Sequence, residues 1–118
     1  MAGHRLPGEF ELIAQYFAPL AAASPGAQGL TDDVALIDLE AGESLIVTTD
    51  AIIAGIHFLA DDPADLVARK LLRVNLSDLA GKGARPIGYV MVCAFPSDLD
   101  EIWVAKFAGG LAADQREF

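Results

Sequence analysis

Ser44-Leu45-Ile46-Val47-Thr48-Thr49-Asp50-Ala51-Ile52-Ile53-Ala54 is the stretch on which the fold class turns. It is apolar and β-branched. A turn, Glu40-Ala41-Gly42-Glu43, precedes it and Gly55 follows, so it reads as a strand. Side chains alternate along a strand, which puts Thr48 and Asp50 on one face and Thr49 on the other. A carboxylate inside an apolar strand is costly unless something pairs with it. Asp50 therefore reads either as bound to a metal or a set of donors, or as an aspartate solvated at a strand end.

Working outward, residues 34–39 read as a first strand and residues 87–95 as a third. The third is apolar nearly throughout and is expected to be central or covered on both faces. Phe10, Ile13, Ala14 and Phe17 recur at helical spacing and predict an amphipathic helix over 8–18. Residues 21–30 read as a flexible loop. Asp62-Pro63 opens a second helix, with Asp62 as N-cap, proline at the first position and Asp65 in the first turn. Ala68, Leu72, Leu76 and Leu79 share a face, and Gly81 and Gly83 end the helix. Pro96-Ser97-Asp98 starts a last helix that offers Ile102, Trp103, Phe107 and Leu111 for packing, and Gly109-Gly110 weakens it locally. This order predicts an α+β domain: a small mixed sheet with helices on one face.

At 118 residues the chain is one domain by length. Its 53% hydrophobic composition and mean hydropathy of +0.39 exceed what one small core uses, so part of the surplus is expected to meet a partner or another domain. The formal charge of −9 argues against a general nucleic-acid binder. Excess carboxylate suits a cation-dependent site, although solubility alone also accounts for it. Cys93, the only cysteine, lies in Tyr89-Val90-Met91-Val92-Cys93-Ala94-Phe95 and reads as a buried structural thiol. With no apolar leader and no run of about 18 apolar residues, no membrane association is expected, and the cytoplasm is the expected location.

Three acidic motifs carry the chemistry. Asp32-Asp33 precedes the first strand, Thr48-Thr49-Asp50 lies within the apolar second, and Asn75-Leu76-Ser77-Asp78-Leu79 lies on the second helix. Each sets hard oxygen ligands beside small or apolar residues, as Mg²⁺ and the phosphates it carries require. Asn75 and Asp78 are neighbours on one helix face, bordering the apolar stripe. Lys82 is placed to pair with Asp78. Lys70 and Arg73 could meet a phosphate or form a solvated basic face. His57, after Gly55, is either structural or in contact with substrate. No Gly-x-x-x-x-Gly-Lys-Ser/Thr loop occurs, so ATP binding of that type is excluded.

Taken together, the chain resembles the thiamine-monophosphate kinase family. The matching segments are Gly8-Glu9-Phe10-Glu11-Leu12-Ile13-Ala14, Asp32-Asp33-Val34-Ala35, Thr48-Thr49-Asp50-Ala51 with Gly55-Ile56-His57-Phe58, and Arg69-Lys70 through Asn75-Leu76-Ser77-Asp78-Leu79-Ala80 to Gly83-Ala84-Arg85-Pro86. They cover most of residues 8–96 in the family's order. The wider superfamily includes aminoimidazole ribonucleotide synthetase, selenophosphate synthetase and a hydrogenase-maturation protein. The resemblance implies the N-terminal ATP- and Mg²⁺-binding domain of that fold, over 1–118, with the sheets of a homodimer paired into a barrel. It implies that Asp33, Asp50 and Asp78 bind Mg²⁺ with Thr48 and Thr49 adding oxygens, that Asp33, Thr49 and Asp50 face ATP, and that His57 lies on the thiamine-phosphate side.

The implied reaction moves the γ-phosphoryl group of ATP onto thiamine monophosphate, giving thiamine diphosphate. The nucleophile is a phosphate oxygen, largely anionic at neutral pH with a second pKa of about 6, so no catalytic base is required. The alternatives are another ATP-dependent synthetase of the superfamily, or a non-catalytic dimerisation and metal-binding fragment. Two departures stand out. Thr31 replaces the family's usual glycine before the paired aspartates, which restricts φ there. The Gly-Gly-Asp-Thr metal motif is absent and is expected shortly after Phe118, with a C-terminal domain beyond it, so the 118 residues alone are expected to be inactive.

Overall fold

The computed structural model describes residues 5–118. Helix α1, Glu9–Leu12, runs into a wider π-helical turn over Ile13–Phe17 and a 3₁₀ turn over Ala18–Ala21. The π turn carries an extra residue and rotates the register. The inward face is consequently Leu12, Tyr16, Phe17 and Leu20, while Phe10 is 83% exposed. Residues 21–30 are not all loop, since Pro25–Leu30 forms a 3₁₀ segment kinked at Gln28 and Gly29.

Two long helices follow, α2 (Ala64–Gly81) and α3 (Glu101–Glu117), packed on each other. Asp62 does not cap α2. Its Oδ2 accepts from the Leu59 N–H at 2.7 Å instead, and Pro63 takes the cap position, with its ring pre-set for the first turn. The far end closes as the sequence predicts. Gly83, at φ +67°, lets its N–H reach the Ala80 carbonyl and the Ala84 N–H reach the Leu79 carbonyl, each at 3.0 Å. Pro96-Ser97-Asp98 lies before helix α3 rather than starting it, and Asp100 is the cap, accepting from the Ile102 N–H at 2.8 Å.

The core lies between these helices. Ala64, Val67 and Ala68 of α2 meet Val104, Phe107 and Leu111 of α3, and Phe17 closes one end. Ala68, Leu72, Phe107 and Leu111 point inward as the periodicity predicts, but Ile102 is 51% exposed and Val104 takes its place. Phe95, Trp103 and Phe107 extend the core as an aromatic cluster, with Trp103 stacked on Phe107 at 5.2 Å and Phe95 edge-on to both. Gly110 is where the helices touch: a Cβ there would lie 2.4 Å from the Asp65 carbonyl oxygen. Gly109 faces open space. Gly110 thus marks a close approach, while Gly109 carries only the propensity cost that the sequence predicts.

Asp114 and Arg73 join the helices a turn further on. Arg73 Nε and Nη2 donate to Asp114 Oδ2 and Oδ1, each at 2.9 Å, in the only ion pair among the described residues. Asp114 is 2% exposed, and the Arg73 bonds hold its carboxyl below the usual carboxylate range against the opposing effect of burial. Gln115 ties in two further segments, donating to the Leu20 carbonyl at 2.9 Å and accepting from the Tyr89 hydroxyl at 3.1 Å. Tyr16 donates to Glu101 at 2.5 Å, which raises the pKa of the phenol.

The expected mixed sheet is absent. Among the described residues there is no strand, and the pairing is limited to an isolated parallel bridge between Ala54 and Phe58. The α+β assignment, and with it the paired-sheet barrel, is corrected to a helical fold. The apolar segments 34–39, 44–54 and 87–95 have no ladder partners, and of their residues Ile52, Met91 and Phe95 pack against the helix core. Val47, Val90 and Val92 are 72%, 87% and 97% exposed, so the third segment is not covered on both faces. Cys93 is exposed too, not buried. Alternation survives in part of 87–95, where Met91 and Phe95 reach the core while Val90 and Val92 face out. The physical reason is that β-propensity records a fit to a pleated, half-buried surface, and a strand exists only where a neighbouring segment supplies its hydrogen bonds. The radius of gyration is 15.3 Å, against about 13.5 Å for a compact chain of this length, as this open packing requires. No helix among the described residues is long and apolar enough to cross a membrane.

Two predictions follow from the helix pair. Gly110→Ala is expected to lower the urea midpoint clearly, because its methyl group meets backbone, whereas Gly109→Ala raises stability by about 0.5–1 kcal/mol through helix propensity. Equal effects would contradict the close approach. For Asp114, a depressed folded pKa means that its stabilisation is whole above the unfolded value of about 3.9 and is lost as pH falls through the folded value. Urea midpoints of the wild type and Asp114→Asn should therefore differ at neutral pH and converge in acid.

Candidate functional site

One contact joins two of the acidic motifs, on the flank of α2. Asp78, exposed near the end of that helix, has its Oδ2 3.4 Å from Thr48 Oγ1, which brings together two residues thirty positions apart. Asn75 does not join them. Its side chain donates to the Leu71 carbonyl one turn back at 2.9 Å. Lys82 makes no ion pair with Asp78 among the described residues.

Asp50 lies two residues beyond Thr48 and is exposed, with Oδ1 accepting from the Ala51 N–H at 3.0 Å. The desolvation cost expected of a strand-buried carboxylate therefore does not arise. Thr49 is exposed beside it. In the acidic loop, Asp32 Oδ1 accepts from the Val34 N–H at 3.3 Å, and Asp33 is exposed. Thr31 sits at φ −104°, ψ −3°, a conformation open to any residue, so its replacement of glycine costs nothing in the backbone. The left-handed positions fall earlier, at Gln28, Gly29 and Leu30. Gly26 is the glycine this loop needs, because a Cβ there would lie 1.9 Å from the Leu36 carbonyl oxygen, where the Leu36 N–H also bonds the Gly26 carbonyl.

His57 sits in a turn just past Ala54. Its Nδ1 accepts from the Ile53 N–H at 2.9 Å, and its carbonyl accepts from the Lys70 ammonium of α2. Lys70 is thus neither a free phosphate ligand nor part of a purely solvated face. Arg73 is committed to Asp114. Sequence reasoning missed Asp114 altogether, because its partner lies forty-one positions away.

The donor set suits Mg²⁺ in part. Among the described residues no three His, Cys, Asp or Glu side chains converge, so Asp33, Asp50 and Asp78 do not form a carboxylate cage. Mg²⁺ does not demand one. It is commonly held by one or two carboxylates together with substrate phosphates and water. Adjacent ligands of an octahedron with bonds of about 2.1 Å are about 3.0 Å apart, and Thr48 Oγ1 and Asp78 Oδ2 come near that spacing. The clefts lie elsewhere. A groove of about 650 Å³ runs between the start of α2 and α3, past Asp62, Asp65, Arg69, Trp103 and Lys106, and a smaller one of about 410 Å³ opens beside Tyr16 and Glu101. Both are open and neither includes an acidic-motif residue, so the chemistry of the donors locates the site better than concavity does.

The chain belongs to the family described as AIR synthase related protein, N-terminal domain, whose model matches residues 31–118. Within it, the chain is similar to proteins named thiamine-monophosphate kinase. It is 48% identical over 108 residues to the one from Caulobacter vibrioides, covering 92% of this chain and 31% of the relative. It is 44% identical to the one from Escherichia coli, covering 88% and 32%, and 44% identical to the one from Salmonella typhimurium, covering 90% and 33%. The chain spans about a third of the length of these curated relatives. No solved structure matches it.

Proposed function

We propose that the chain is one domain, the ATP- and Mg²⁺-handling part of a thiamine-monophosphate kinase. The observation that carries this is the 48% identity, over 92% of the chain, to a relative bearing that name. The approach of Thr48 to Asp78 supports it, because two hard oxygens from distant segments meet without an ion-pair partner. Asp33, Thr48, Thr49, Asp50 and Asp78 would hold the metal, with Asp33, Thr49 and Asp50 facing ATP. When bound, Mg²⁺ supplies charge neutralisation and alignment to two polyanionic reactants. The chain's own part is to position the phosphates, with Thr48 and Asp78 meeting on the flank of α2 and His57 directed toward the phosphate of thiamine monophosphate. No side chain is assigned as a base, because the attacking phosphate oxygen is already anionic. The cytoplasm, where ATP is held, is the proposed location.

A chimaera tests this reading. With this chain replacing the aligned residues of the Caulobacter relative, ATP-dependent formation of thiamine diphosphate is expected. Asp50→Ala and Asp78→Ala should each lower kcat/KM by about 100-fold or more. Undiminished turnover in either variant would falsify that ligand assignment. The proposal includes a homodimer, supported by the exposed apolar side chains of segments 44–54 and 87–95. Light scattering should give twice the chain mass, and a monomer at all concentrations removes this part.

A further inference from the structure

The turn over residues 53–58 is held from three sides. Ile52 and Phe58, at its ends, pack on the core. Within it, Gly55 takes φ +81°, its N–H donates to the Phe58 carbonyl at 2.7 Å, and the His57 N–H donates to the Ile53 carbonyl at 2.9 Å. From outside, the Lys70 ammonium donates to the His57 carbonyl. The reaction outlined above makes no use of Lys70.

The imidazole is committed as well. Ile53 donates its N–H to His57 Nδ1 at 2.9 Å. A backbone N–H can only donate, so Nδ1 must present its lone pair, and a neutral imidazole with an accepting Nδ1 carries its proton on Nε2. His57 is exposed, and Nε2 bonds none of the described residues. The ring therefore shows solvent a donor. A free N–H donor suits an anionic acceptor such as a phosphate oxygen, whereas a ligand amine would meet donor with donor.

We propose that Lys70 is a positioning residue: it locks the 53–58 turn, so that His57 is held as its Nε2–H tautomer and offers that donor to a phosphate oxygen of the substrate. The substrate part rests on the kinase reading; the tautomer and the lock do not. Long-range ¹H–¹⁵N correlation of the imidazole in the 118-residue chain, at mildly alkaline pH, reads the tautomer directly. The wild type and Lys70→Arg are expected to show a bare Nδ1 and a protonated Nε2, and Lys70→Met an average of both tautomers. An averaged wild-type ring, or a Lys70→Met ring as fixed as the wild type, overturns the proposal. In the chimaera, Lys70→Met should raise KM for thiamine monophosphate about tenfold with kcat within about twofold, and Lys70→Arg should restore it. A loss confined to kcat overturns the positioning role. Should the tautomer be fixed while the chimaera leaves thiamine monophosphate unreacted, the kinase reading falls on its own. The phosphate arm is then read by titrating the chain with inorganic phosphate, where a shifted His57 Nε2 resonance supports it and an unmoved one overturns it.

Discussion

The close approach of α2 and α3 at Gly110 is the constraint on which the rest of the structure depends. With the Asp65 backbone against that position, the two helices come near enough for Val67 and Ala68 to bury against Val104 and Leu111. Burying a Leu- or Val-sized side chain stabilises by about 1.5–3 kcal/mol, and the whole described core consists of eight apolar residues, so few contacts share the load. The Arg73–Asp114 bridge fixes the pair at a second point. Its bidentate geometry sets the rotation of the helices as well as their distance.

Helix α2 hands this rigidity to the site. Its inward face builds the core, while its flank carries Lys70 and Asp78. Lys70 fixes the His57 turn and Asp78 meets Thr48, so two loops are registered against one helix. Charge is divided accordingly. Arg73 is spent within the fold and Lys70 on a backbone carbonyl, while Asp33, Asp50 and Asp78 stay exposed on a chain of formal charge −9. Such a surface attracts cations and repels phosphates, and a bound cation reverses that preference.

The helices were legible because their signals are local. Proline at the start of α2, Gly83 at its end and the 3.6-residue spacing of Ala68 and Leu72 act within one or two turns. The errors were local competition. Asp62 found a nearer donor in Leu59, Asp100 capped α3 beyond the Pro96-Ser97-Asp98 signal, and a π turn rotated the first helix away from Phe10. The strands failed for a different reason. Segments 34–39, 44–54 and 87–95 have the right composition, but a ladder needs a second segment alongside, and spacing along the chain does not say whether one is there.

By itself, then, the sequence determined the two long helices and the family, because propensity, capping and motif order are carried by residues close in the chain. Only the tertiary structure decided that Gly110 is a contact, that Arg73 belongs to Asp114 and Lys70 to the His57 turn, and that Thr48 meets Asp78 while Asp33, Asp50 and Asp78 form no carboxylate cluster. These are contacts between residues thirteen to forty-five positions apart, and they exist only once two helices have packed and turned their flanks to the loops.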